Sequence, residues 1–187
     1  QQTNYPEQGS VELTVNPRKS REFAVAVRIP AWSKITMVTV NGQAVADVRP
    51  GSYLTVSRTW KEGDKIALNF DMRGRLTELN GYQAIERGPV VLARDTRLGE
   101  GFVDETCVVQ TSGGYVELMP VTDKPAGVWM AFSAPMKLGT DTEERAAGIV
   151  QVPLCDFASA GNTWHPAVRY RVWLRRTFDP ISDPWVE

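Results

Sequence analysis

The residue types that carry most enzyme chemistry are scarce in this chain. The sole histidine, His165, stands in Asn162-Thr163-Trp164-His165-Pro166, a polar turn between strand-like runs. A Ser-His-Asp site would have to use it, and no nucleophile-elbow motif accompanies it, so it reads as a solvated loop histidine. Structural and catalytic zinc sites need three or four His, Cys or carboxylate ligands within reach. One histidine with the separated Cys107 and Cys155 supplies no typical set. Both cysteines read as small buried hydrophobes, with a single bridge between them as the alternative. Gly99-Glu100-Gly101 and Gly113-Gly114 lack the spacing and the following helix of a phosphate-cradling loop. Glycoside hydrolysis needs only two carboxylates, and three pairs qualify by spacing: Asp104 with Glu105, Glu143 with Glu144, and Glu62 with Asp64. All three lie in polar, loop-like stretches. A catalytic acid needs an apolar setting to raise its pKa, and none of these shows one, so they read as solvated turn residues.

Aromatic residues suggest a different kind of chemistry. The chain holds 6 Trp, 5 Tyr and 6 Phe, and exposed Trp or Tyr rings offer flat area at low entropy cost for stacking on a sugar. Trp32 follows Pro30-Ala31 at a strand end, Trp164 is in a loop, and Trp185 is near the C-terminus. Trp60 and Trp173 lie in or beside strands and read as packed. For Trp32 and Trp164, packing against a neighbouring domain is the leading expectation and sugar stacking the alternative.

The elements that would position these residues are strands. Val11, Leu13 and Val15 alternate with polar neighbours, and Phe23, Val25, Val27 and Ile29 repeat the pattern until Pro30. Asn41-Gly42 predicts a tight hairpin, because both residues tolerate positive φ, with a short return strand over 43–45. Strands are expected at 53–58 and again through Ile66, Leu68 and Phe70, joined by a turn at Lys61-Glu62-Gly63-Asp64. In the second half, 89–93 reads as a central strand. The segments 107–110 and 115–119 flank Ser112-Gly113-Gly114 and read as a hairpin. Strands are expected at 128–132, 149–154 and 168–174. In the last, Val168, Tyr170, Val172 and Leu174 share one face, while Arg169 and Arg171 lie against Trp173 on the other. Helical pattern is confined to 75–87, interrupted by Asn80-Gly81, and to about two turns at 140–147. No repeat of fixed period appears, which argues against a propeller or β-helix.

These patterns predict an all-β fold of two consecutive antiparallel, jelly-roll-like β-sandwich domains, residues 1–80 and 81–187. The seam is expected where strand pattern lapses, over residues 75–88. A chain of 187 residues is long enough for either one large or two small domains. Lys+Arg number 21 against 22 Asp+Glu, so the basic stripe of a nucleic-acid binder is not expected. No apolar run approaches the roughly 20 residues of a membrane helix. The opening residues Gln1-Gln2-Thr3-Asn4-Tyr5-Pro6 lack a signal-peptide pattern.

An ordered series of short motifs resembles the region that follows the catalytic domain in glycoside hydrolase family 127, formerly domain of unknown function 1680, whose best-known activity is β-L-arabinofuranosidase. The series starts at Thr3-Asn4-Tyr5-Pro6 and Val11-Glu12-Leu13-Thr14-Val15. It continues through Val27-Arg28-Ile29-Pro30-Ala31-Trp32, Val38-Thr39-Val40-Asn41-Gly42 and Gly51-Ser52-Tyr53-Leu54. Trp60-Lys61-Glu62-Gly63-Asp64 and Glu86-Arg87-Gly88-Pro89-Val90-Val91 complete it over the first half. Further on, Asp156-Phe157-Ala158-Ser159-Ala160-Gly161-Asn162 and Tyr170-Arg171-Val172-Trp173-Leu174 are similar to the family's closing strands.

The resemblance implies an upstream (α/α)₆ barrel holding the cysteine nucleophile and a zinc-bound cysteine/glutamate cluster, followed by two β-sandwiches, the first here lacking its opening strands. Neither Cys107 nor Cys155 falls on a catalytic position, so no catalytic residue, metal or cofactor is assigned to this chain. The expected role is a non-catalytic β-sandwich region that supports the barrel of the same polypeptide, with its active-site rim and self-association as further roles. Trp32, Trp164 and Asn162 are the candidates for contact with a sugar or with the barrel. A plant-derived glycan is the expected ligand class, and a periplasmic or extracellular setting would follow from glycan degradation. An autonomous carbohydrate-binding module and a purely structural or adhesion sandwich are the rival readings.

Overall fold

A computed structural model describes residues 1–99, 102–139 and 148–177. The helical turns expected at 140–147, the pair Glu143 and Glu144, Trp185, and part of Gly99-Glu100-Gly101 lie outside the described residues. The chain divides into two compact units, Gln1–Met72 and Arg73–Glu187.

The first unit follows directly from its period-two apolar pattern. Its strands are β1 (Gln2–Thr3), β2 (Ser10–Val15), β3 (Arg21–Arg28), β4 (Met37–Val40), β5 (Gln43–Ala44), β6 (Tyr53–Trp60) and β7 (Asp64–Asn69). Five form an antiparallel sheet in the order β1-β2-β7-β4-β5, and β3 pairs with β6 as a separate two-stranded sheet. In the larger sheet Leu68 lies between Val11 and Val38, and Ile66 between Leu13 and Val40. These side chains cluster with Val25, Val27, Leu54 and Val56 from the smaller sheet, which makes the unit a sandwich. Each such buried aliphatic side chain contributes about 1.5–3 kcal/mol. Trp60 is fully buried in this cluster, and its indole N–H donates to the Phe23 carbonyl at 2.9 Å. The indole therefore fills the core without stranding its donor. Asn41 and Gly42 take φ of 51° and 80°, the left-handed pair that closes the β4–β5 hairpin as expected.

The second unit comprises β8 (Gly74–Leu79), β9 (Tyr82–Arg87), β10 (Val90–Asp95), β11 (Cys107–Val109), β12 (Met119–Pro120), β13 (Ala131–Leu138), β14 (Val150–Asp156), β15 (Tyr170–Arg171) and β16 (Leu174–Arg175), with a 3-10 turn at Thr96–Leu98. All belong to one antiparallel sheet with the path β11-β13-β14-β10-β9-β16, to which β8, β12 and β15 add. The sheet curls until β9 meets β11. Gln83 of β9 is fully buried; its amide donates to the Cys107 carbonyl and accepts from the Val109 N–H, each at 3.0 Å. Ile85, Leu92, Phe132, Met136, Val152 and Leu154 fill the enclosed core.

Three sequence expectations change here. The segment 75–88, read as a seam with helix formers, is the β8–β9 hairpin. Asn80 and Gly81 have φ of 48° and 82° and join Leu79 to Tyr82 as a two-residue turn. The Asn-Gly pair that interrupts the helix formers is itself the hairpin signal. Residues 107–110 and 115–119 do not pair as a hairpin: β11 pairs with β13, and only an isolated bridge joins Ser112 to Tyr115. The strand expected at 168–174 bends at its middle, so β15 pairs with β10 and β16 with β9. Arg169 then donates to the Pro166 carbonyl and Arg171 pairs with Asp104 instead of stacking on Trp173, which is 41% exposed rather than packed.

Candidate functional site

The densest polar chemistry lies in the second unit, where the ends of β10 and β14 meet the loop that follows β14. Asp95 ends β10 and caps the 3-10 turn by accepting from the Arg97 N–H at 2.9 Å. It also accepts from Arg97 Nε at 2.9 Å, Arg97 Nη2 at 2.7 Å and the Gly161 N–H at 2.9 Å. Arg97 reaches on into the loop, donating from Nη1 to Asn162 Oδ1 at 2.8 Å and from Nη2 to the Ser159 carbonyl at 2.6 Å. Asp156, at the end of β14, accepts from the Ser159 N–H at 3.0 Å, Ser159 Oγ at 2.7 Å and the Met130 N–H at 3.0 Å. Ser159 Oγ in turn accepts from the Trp129 N–H at 2.9 Å, and Asn162 Nδ2 donates to the Gly127 carbonyl at 2.9 Å. Asp95, Asp156 and Ser159 are buried. Two carboxylates thus pin the loop to the turn that carries Gly127 and Trp129.

The electrostatics fit an architectural role. Burial pushes the Asp95 carboxyl up, but hydrogen bonds from the Arg97 side chain and from the Gly161 and Arg97 N–H groups outweigh it, leaving a net value below the usual range. Asp95 holds the Arg97 guanidinium above its ordinary value in return. A carboxylate so satisfied makes a poor proton donor at neutral pH. Burial, followed by the charges of Asp95 and Asp156, pushes the Cys155 thiol up to about 12, so it stays protonated and weakly nucleophilic. Cys107 and Cys155 are both buried, with no disulfide between them. Among the described residues, no three His, Cys, Asp or Glu groups are placed to hold a metal ion.

The carboxylates singled out by spacing are engaged elsewhere. Asp104 pairs with Arg171, and Glu105 lies 3.6 Å from Arg94. Asp64 accepts from the Lys61 N–H and from Asn41 Nδ2, both at 2.9 Å, while Glu62 is exposed in the same turn. Asp95 and Arg97 carry no signal in the sequence, and Asp156 and Ser159 stand out there only within the motif at 156–162, not as members of a polar network. The signal was Asp156-x-x-Ser159 directly after an apolar strand, a spacing that suits a side-chain-capped turn.

The three candidate contact residues separate. Trp32 belongs to the first unit, half-buried with its ring edge-on to Phe70 at 5.7 Å. Asn162 and Trp164 share the pinned loop of the second. Asn162 acts as a staple, bonded at both ends of its amide. Trp164 is 92% exposed with a φ of 55°. His165 is exposed beside it, and its Nδ1 accepts from the Ala167 N–H at 3.2 Å.

Comparison with known proteins agrees with the motif series. Residues 1–72, the whole first unit, match the family model described as Beta-L-arabinofuranosidase, GH127 middle domain. No curated protein matches the chain. Among solved structures, one described as a glycoside hydrolase aligns over 95% of this chain and 32% of its own, at 25% identity and a TM-score of 0.76. A GH127 β-L-arabinofuranosidase from Geobacillus stearothermophilus T6 aligns over 93% of this chain and 29% of its own, at 24% identity and a TM-score of 0.68. A further GH127 β-arabinofuranosidase covers 93% of this chain and 31% of its own, at 22% identity and a TM-score of 0.67. The chain spans about a third of the length of each.

Proposed function

We infer, from a first unit that carries the GH127 middle domain, that this chain is a non-catalytic β-sandwich region of a family-127-like glycoside hydrolase. Its role is to support an upstream (α/α)₆ barrel in which the hydrolytic chemistry occurs. The observation that carries this reading is the match of residues 1–72 to the middle-domain model. The use of the buried carboxylates agrees with it. Asp95 and Asp156 accept hydrogen bonds from loop donors, and their energy goes into holding a loop. A barrel-docked module needs this kind of fixed surface, because interface loops ordered in advance cost less entropy on packing.

The test is the coding sequence upstream of Gln1. The inference predicts a long helical segment with the periodicity of paired barrel helices and a pair of adjacent cysteines near its end. An upstream region without helical pattern overturns it.

A further inference from the structure

We propose that the pinned loop of the second unit, with the neighbouring Trp129 turn, is a carbohydrate-binding surface that presents Trp164 as its stacking platform. This assignment goes beyond the supporting role above and does not depend on it.

Three independent observations converge. The first is exposure. Trp164 is 92% exposed, and the same two loops and the start of β15 expose Trp129 at 46%, Phe157 at 50% and Tyr170 at 44%. Leaving so much ring area in water forgoes burial energy. The second is backbone strain. Trp164 adopts a φ of 55°, a left-handed conformation that costs a bulky residue about 1–2 kcal/mol, so this turn is held against local preference. The third is the apparatus that holds it. Asp95, Arg97, Asp156, Ser159 and Asn162 fasten the start of the loop, Thr96 exchanges hydrogen bonds with Arg169 at its end, and the Phe157 and Tyr170 rings lie 6.1 Å apart across it. Gly161 allows that packing: a Cβ there would stand 2.7 Å from the Tyr170 ring.

The composition of the surface selects the ligand. Every large apolar side chain that the described residues of these loops expose is aromatic, which offers flat ring faces rather than an aliphatic surface. The groups around the rings carry hydrogen-bonding chemistry. His165 is exposed and its Nδ1 accepts from the Ala167 N–H, which leaves Nε2 as the ring's donor. Arg169 is exposed in the same loop. An indole face that packs on the C–H side of a sugar ring, next to donors for its hydroxyls, matches a neutral glycan. A loop fixed in advance loses little entropy on binding.

Affinity electrophoresis of the chain through gels containing arabinan, xylan or galactan tests the assignment. Retardation is expected in at least one gel, with the affinity falling about tenfold or more in Trp164→Ala. Alanine pays the same left-handed backbone cost, and the ring it deletes is almost wholly in solvent, so this variant folds like the parent. Tyr53→Ala, which removes an exposed ring from the first unit, is expected to leave retardation unchanged. No retardation of the parent in any of the three gels overturns the proposal, as does retardation equal in parent and Trp164→Ala. If Trp164→Ala lowers turnover of the full polypeptide while the parent chain passes every gel unretarded, the surface is a barrel contact and the proposal fails.

Discussion

Asp95 is buried and accepts four hydrogen bonds, three from Arg97 and one from Gly161. Asp95→Asn keeps the volume but removes the charge opposite Arg97 and turns one acceptor into a donor. Breaking a buried ion pair from one side costs about 3 kcal/mol, which thermal unfolding would read as a fall of roughly 10 °C in the midpoint. The sign of the pH dependence follows from the lowered folded pKa. The stabilisation is fully present above the unfolded carboxyl value near 4 and is lost as pH falls through the lower folded value. Stability measured against pH should therefore show parent and Asp95→Asn converging below about pH 4 and separated by a constant gap above it. If Asp95 were instead a catalytic acid, Asp95→Asn in the full polypeptide would abolish turnover at temperatures where the variant is folded; retained turnover is expected. This network was hard to see in the sequence. Its members come from the end of β10, a 3-10 turn and the loop after β14, and antiparallel pairing across the sheet brings them together. Trp60 was legible, because its place beside the strand expected at 53–58 marked it as packed. Trp60→Ala should cost about 3–5 kcal/mol in the first unit, measurable by denaturant unfolding.

Elements differ in how much of their partnering is local. β4 and β5 were legible because an Asn-Gly turn dictates both their register and their partner. The β8–β9 hairpin carries the same signal, but Arg75, Leu76, Glu78, Leu79 and Glu86 favour helix, and tertiary pairing prevails over that weak preference. β11 was not legible as a partner of β13, since more than twenty residues separate them and no local rule chooses between 115–119 and 131–138. The curled sheet depends on one side chain at this scale. Gln83→Leu removes both hydrogen bonds between β9 and β11 and should cost about 2–4 kcal/mol, with hydrogen exchange at Val109 accelerating by the corresponding factor. Among the described residues, β3 and β6, eight residues each, pair only with one another, so each leaves its outer edge without a strand partner. Open edges of that length favour intermolecular pairing, so light scattering should show species above the monomer mass that grow with concentration. Ala24→Lys, on the exposed face of β3, should shift them back toward monomer.

At the scale of the whole molecule, the period-two pattern revealed the all-β class, and the ordered motifs pointed to the same family as the middle-domain model that matches residues 1–72. The curl of the second sheet and the pinned loop required the long-range pairing. Under the proposed function this chain supports a barrel in the same polypeptide, and that barrel carries out the hydrolysis. A single comparison tests that most directly: turnover of a β-L-arabinofuranoside by the isolated chain and by the full polypeptide, at equal molar concentration. Hydrolysis by the full polypeptide and none by the chain is the expected result. Hydrolysis by the chain alone, at a rate comparable with the full polypeptide, would contradict it.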